Sequence, residues 1–257
     1  MFTPADAPLA LVGYSPAVLA ALQGLGLLAV PVPAERPSDV VAACLTLRFT
    51  GALVAPAYQM VWLEAAQADS EAKRVGRVDA LSFHGAAGAS GTFSYAEALS
   101  DTLADTGYMA RGASLAVLGH RAADLAVAAP LARLGFTDIG LVAESAPEAE
   151  RAIRDLPSGL RIFPLSRRDE SVRALLSRSD LVVLTAGELP SGILEPYHTV
   201  IDLTGRLRGS ASGATILSLD TLAQHHASRQ LAHATGQRFD PAQLAALAGA
   251  MQGVGVA

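Results

Sequence analysis

Apolar residues come along this chain in short runs bounded by glycine or proline. Leu9-Ala-Leu-Val12 runs into Gly13, Gly51-Ala-Leu-Val-Ala55 runs into Pro56, and Ser114-Leu-Ala-Val-Leu118 stops at Gly119. Runs this short and this continuous predict strands buried on both faces. Between them the spacing turns helical. Val18, Leu19, Leu22 and Leu25 recur on one face; Ser15 is placed to cap that helix, Pro16 suits its first position, and Gly26 ends it. Leu27–Val32 predicts a second strand. Ser38 is the expected cap of a helix through Val41 and Leu45, and another helix is expected from about Tyr58 to Ala68. Val78–Phe83 and Gly91–Tyr95, joined by the glycine-rich stretch Gly85–Ser90, predict a hairpin, with a helix from Ala96 to Thr106 after it.

A second strand-helix series follows. A long apolar helix is expected from about Ala122 to Leu134, then a strand at Ile139–Val142, a helix near Pro147–Asp155 and a strand at Arg161–Leu165. A helix near Glu170–Ser177 and strands at Asp180–Thr185, Thr199–Leu203 and Ala214–Leu217 complete the series. Thr221–Ala232 and Pro241–Met251 are helical. Alternation of this kind predicts parallel sheets with crossover helices. The fold class is therefore α/β in two domains. Residues 1–96 with the returning helices of 219–257 form a substrate-type lobe, and residues 97–218 form a doubly wound, Rossmann-like lobe.

Composition narrows the function classes. The 257 residues are 51% hydrophobic and carry a formal net charge of −5 without a block of either sign, which argues against a nucleic-acid surface or a polybasic membrane patch. No apolar run reaches the length of a bilayer span, and Met1–Asp6 lacks the positive start of a signal peptide, so a cytoplasmic protein is expected. The one cysteine, Cys44, reads as a small buried apolar residue. Of 19 basic residues only Lys73 is a lysine.

Seven segments then fall in a familiar order. They are Gly51-Ala-Leu-Val-Ala-Pro-Ala-Tyr-Gln59, Glu71-Ala-Lys-Arg-Val-Gly-Arg-Val-Asp79-Ala-Leu81, Gly91-Thr-Phe-Ser-Tyr95-Ala96, Val117-Leu-Gly119-His-Arg-Ala-Ala123, Leu141-Val-Ala-Glu144-Ser145, Val200-Ile-Asp202-Leu203 and Thr235-Gly236. From about Leu9 to Gly236 the chain resembles the shikimate dehydrogenase family. That family reduces 3-dehydroshikimate with NADPH, using a lysine and an aspartate to handle the proton of the reacting hydroxyl. The resemblance puts Gln59 at the lysine and Tyr95 at the aspartate. Glutamine does not titrate, and tyrosine serves near neutral pH only if its pKa of about 10 is pulled well down.

The resemblance also implies substrate contacts at Ser15, Asp79 and His225, the last aligned to within a residue. Each has a plainer reading: a helix cap for Ser15, a solvated strand end for Asp79, surface residues for His225 and His226, and packing for Tyr95. Cofactor positions fall on Gly119, His120, Arg121, Ala122, Glu144 and Thr185. Gly119 keeps the tight turn, while Arg121 stands where a glycine lets the backbone approach a pyrophosphate. The N–H groups of the helix that starts there are expected to stay open to an anion. Glu144 replaces the arginine that reads the 2′-phosphate, which favours NAD over NADP if either binds. No metal site is expected. Two hypotheses follow. One is an oxidoreductase of shikimate- or quinate-type hydroxy acids; the other is a non-catalytic relative that binds a small hydroxy acid or other anion, or acts in an assembly such as a homodimer.

Overall fold

The computed structural model describes residues 7–85, 88–207 and 213–253. Ala86 and Ala87 of the expected hairpin connector lie outside them. The first strands and helices are Leu9–Val12 (β1), Pro16–Gly24 (α1), Ala29–Val32 (β2), Pro37–Thr46 (α2), Gly51–Val54 (β3), Gln59–Trp62 (α3), Gln67–Ala68 (β4), Ser70–Val75 (α4), Ala80–Gly85 (β5), Gly88–Thr92 (β6) and Tyr95–Asp105 (α5). Then come Ser114–Leu118 (β7), Ala128–Ala132 (α6), Asp138–Ala143 (β8), Ala146–Ile153 (α7), Arg161–Ser166 (β9), Ser171–Leu176 (α8), Leu181–Leu184 (β10), Thr199–Asp202 (β11), Thr215–Ile216 (β12), Leu222–Thr235 (α9) and Ala245–Gln252 (α10). Among the described residues no helix is long and apolar enough to cross a membrane.

The chain divides into two units, Met1–Ala98 with Thr221–Ala257, and Leu99–Asp220. The first holds a six-stranded sheet in the order β2-β1-β3-β5-β6-β4. β1 runs parallel to β2 and β3, whereas β5 is antiparallel to both β3 and β6. Alternating residues of the apolar runs feed opposite faces. Leu9, Leu11 and Leu53 pack with Val18 and Leu22 of α1 and Leu231 of α9, while Ala10, Val12, Ala52 and Val54 pack with Val41, Cys44 and Trp62.

In the second unit all six strands are parallel, ordered β9-β8-β7-β10-β11-β12. Renumbered within the unit this is 3-2-1-4-5-6, the doubly wound dinucleotide-binding order. The order reverses between β7 and β10, so the ends of those two strands are where such a sheet places a ligand.

Four local expectations are corrected. α2 begins at Pro37 after Arg36, so Ser38 lies inside the helix; the fixed φ of proline suits the first helical position better than the expected serine cap. The helix expected from Tyr58 to Ala68 ends at Trp62. One 3-10 turn follows, and Gln67–Ala68 instead pairs with Ser90–Gly91. Ser15 stands at the start of α1, but its hydroxyl accepts no capping hydrogen bond. The long helix expected over Ala122–Leu134 shrinks to Ala128–Ala132. Before it the backbone closes i to i+3 turns, such as Leu125 N–H to Ala122 O at 3.1 Å, and Pro130 has no N–H to continue an α ladder.

Candidate functional site

The first unit assembles polar side chains around Asp79. This residue precedes β5, and its backbone sits in the sheet: Val54 N–H donates to Asp79 O at 3.0 Å, and Asp79 N–H donates to Thr92 O at 2.9 Å. The side chain is fully buried, not solvated as its strand-end position suggested. One carboxylate oxygen, Oδ2, accepts from Ser94 N–H at 2.9 Å and Ser94 Oγ–H at 3.0 Å, and meets His226 Nε2 at 2.7 Å. The other, Oδ1, is buried without a hydrogen-bond partner among the described residues. The histidine at this carboxylate is thus His226, one residue beyond the expected His225, which is itself buried.

Helix α9 delivers these contacts through its period. His226, Gln230 and His233 fall at i, i+4 and i+7, on one face. His226 meets Asp79, Gln230 hydrogen-bonds the phenol of Tyr14, and His233 Nε2 lies 3.2 Å from Ser90 O. Burial, the negative charge of Asp79 and, in the opposite sense, the Gln230 hydrogen bond act on Tyr14, and the net effect pushes its pKa well up. The Tyr14 hydroxyl and the Gln59 amide both point at Val54 O, at 3.4 and 3.2 Å.

Gln59 is therefore buried and tied to the end of β3 as a hydrogen-bond donor. Tyr95 packs edge-on against His226 with ring centroids 5.5 Å apart. Burial pushes its phenol pKa up, the opposite of what a proton acceptor near neutral pH needs. The resemblance pointed to Asp79 and, to within a residue, to the histidine of α9, but not to Ser94. The spacing of His226, Gln230 and His233 was the available signal.

In the second unit the turn after β7 sits where the strand order reverses. A Cβ on Gly119 would lie 2.6 Å from Asp124 Cβ and 2.9 Å from Thr185 Oγ1, so close approach demands glycine here. Thr185 donates to Leu118 O at 2.7 Å. The expectation of open N–H groups is overturned. His120 N–H and Arg121 N–H both donate to Asp124 Oδ2 at 2.9 Å, and Ala122 N–H donates to Glu148 Oε2 at 2.8 Å. Carboxylates from within the turn and from the first turn of α7 take the place of an external anion. Arg121 is exposed. Glu144, at the end of β8, lies 3.6 Å from His120 Nδ1 and 3.7 Å from Arg168, an exposed arrangement of little energetic weight.

Arg167 secures the same region. Its guanidinium donates to Gly119 O, Ala186 O and Glu188 O at 3.1, 3.0 and 2.6 Å, tying the β7 turn to the loop after β10. A pyrophosphate has no free N–H at residues 120–122, and it would meet two carboxylates there. The turn as built does not fit a dinucleotide.

No family model and no curated protein matches the chain. Solved structures do. Shikimate 5-dehydrogenase from Listeria monocytogenes, in complex with shikimate and NAD, superposes with a TM-score of 0.73 at 15% identity, over 92% of this chain and 94% of that one. The chain has the shikimate dehydrogenase fold. Quinate dehydrogenase from Corynebacterium glutamicum in complex with NAD gives a TM-score of 0.72 at 16% identity, covering 96% and 99%. The ligand-free 5-ketofructose reductase of a Gluconobacter strain gives 0.69 at 17% identity, covering 96% and 98%. NAD is bound in the Listeria and Corynebacterium structures.

Proposed function

We propose that this chain is a shikimate dehydrogenase-fold protein that has diverged from NADP-dependent shikimate oxidation and acts as a binder of small hydroxylated anions. One observation carries the reading: the backbone N–H groups of the turn after β7 are bonded to the chain's own Asp124 and Glu148. Binding a dinucleotide there means expelling two charge-assisted acceptors and bringing phosphate charge beside them. The proton-handling positions agree with it. Gln59 does not titrate, and burial moves Tyr95 away from a basic role.

A second reading is an active NAD-dependent oxidoreductase, as the names of the Corynebacterium and Listeria proteins suggest. The placement of Glu144 at the end of β8 favours it over an NADP enzyme, because a carboxylate suits ribose hydroxyls and repels a 2′-phosphate.

Calorimetric titration separates the two. The wild-type protein is expected to give no saturable heat with NAD or NADP, and no shikimate oxidation with either. Asp124→Ala combined with Glu148→Ala frees the three N–H groups and is expected to gain affinity for inorganic phosphate. Saturable NAD binding by the wild type, unchanged in that double variant, supports the second reading and removes the first.

A further inference from the structure

We propose that the second unit carries a site for one aromatic ring bearing an oxyanion group, at the start of strands β7, β8 and β9. These strands are parallel, so their starts share one end of the sheet, opposite the turn after β7. The site is separate from the crevice at that turn and independent of how the crevice is used.

The strand register accounts for a cleft there. Ser114, Asp138 and Arg161 stand side by side in one row, and Ala116, Gly140 and Phe163 in another two residues on. Residues two apart share a face, so both rows face the same way. The middle of that face is nearly bare, since Ala116 is small and Gly140 has no side chain. Leu175 of α8 fills part of the gap: a Cβ on Gly140 would lie 2.4 Å from Leu175 Cδ2. α8 ends at Leu176. What is left is a cleft of about 120 Å³, lined by Ser114, Asp138, Gly140, Phe163, Leu175 and Arg178 among others. An enclosed apolar cavity of ~150 Å³ holds benzene. Phe163 is 37% exposed on the edge strand β9, so this cleft opens to solvent and takes a ring of that size with one side uncovered.

Among the described residues the polar side chains around this cleft are engaged, apart from the end of Arg178. Arg161 donates to Asp138 Oδ2 at 2.7 Å, and its Nε pairs with the same carboxylate. Asp180, next in the chain, accepts from the Ser114 N–H at 2.8 Å and the Ser114 hydroxyl at 2.7 Å. The Ser179 hydroxyl donates to Leu175 O at 3.0 Å. Arg178 is exposed, and its Nε donates to Ala174 O at 3.2 Å, which satisfies a carbonyl near the end of α8. That cap uses Nε alone. Neither terminal nitrogen has a partner among the described residues, so the guanidinium keeps two donors and an uncompensated charge at the mouth. Carboxylates and phosphate monoesters both present paired oxygens to such a fork. The ring of Phe163 and the methyls of Leu175 supply apolar walls for an aromatic body.

Phenyl phosphate and benzoate are the test ligands, titrated into the full chain with carbon-13 methyl labels on leucine. Phenol and inorganic phosphate serve as the two half-ligands. At least one test ligand is expected to move the Leu175 methyl resonances saturably, with a Kd of about 1 mM or below. Each half-ligand is expected to bind roughly tenfold more weakly. The tighter of the two test ligands tells phosphate from carboxylate. Arg178→Met keeps an apolar stem and removes the charge; it is expected to weaken the anions roughly tenfold and leave phenol unchanged. Phe163→Leu is expected to weaken the ring-bearing ligands by about three- to tenfold. Arg173→Gln, on the same helix but outside the cleft, is expected to change nothing. No saturable change at Leu175, inorganic phosphate binding as tightly as phenyl phosphate, or full affinity in Arg178→Met overturns the proposal. Leu175 packs over Gly140 and away from residues 120–122, so an anion held at the turn after β7 leaves its methyls unmoved. Failure here is thereby read separately from failure of the proposed function.

Discussion

Alanine at position 51 is expected to destabilise the first unit by about 3 kcal/mol or more, the upper end of the cost of overpacking a core. The added Cβ would lie 2.2 Å from Leu81 O and 2.3 Å from Ala234 O. Both are backbone atoms, one in β5 and one in α9, so no side-chain rotation relieves the overlap. Either the helix lifts from the sheet or β3 parts from β5. The lone tryptophan, Trp62, is buried in this unit and reports its unfolding in urea. Gly249 is the internal control. It lies within α10, and an added methyl there would meet nothing within 4 Å, so alanine is expected to stabilise by roughly 0.5–1 kcal/mol. Gly51→Ala within 1 kcal/mol of wild type would show that α9 is not held at this depth (a threshold of about one typical mutational effect). The same helix carries His226, so its depth also sets the distance to Asp79.

Removal of the Asp79 carboxylate has the second large effect. Asp79→Ala leaves the Ser94 N–H, the Ser94 hydroxyl and the His226 ring without their acceptor in a buried setting. Breaking a buried pair from one side costs about 3–5 kcal/mol. Asp79→Asn should cost clearly less. Its oxygen can still accept from Ser94 N–H, and its amide nitrogen falls where Oδ1 has no partner to lose. Urea unfolding followed at Trp62 ranks the two variants. Equal losses would mean that charge alone holds the cluster; the reverse order would contradict the hydrogen-bond account.

Much of this fold was legible because buried parallel strands write themselves as continuous apolar runs. β1, β3, β7 and β10 are such runs, and each fell within a few residues of its expected place. Helices were less legible where tertiary contacts override local pattern. The stretch after Gly119 has the apolar content of a helix, yet two carboxylates hold its first amides and Pro130 interrupts its ladder. Gln67 and Ala68 left a helical pattern to pair with β6. In the site, Asp79 was visible but its burial was not, since burial depends on α9 arriving from the far end of the chain. The alignment placed the α9 histidine only to within a residue, and one residue turns a helical side chain by about 100°, which decides that His226 and not His225 meets Asp79. Glu148 lies 26 residues from the Ala122 N–H it satisfies, and no local motif links them.

The bonds from Asp124 and Glu148 have a consequence best expressed as competition. Each carboxylate is a ligand that the protein carries on its own chain, present at the turn at an effective concentration of about millimolar or above. An incoming anion must outcompete both. They come from separate segments, so displacing one leaves the other in place. Ordinary solute levels of phosphate then leave the turn closed, and a change within the chain, more than any rise in solute, is what would open it.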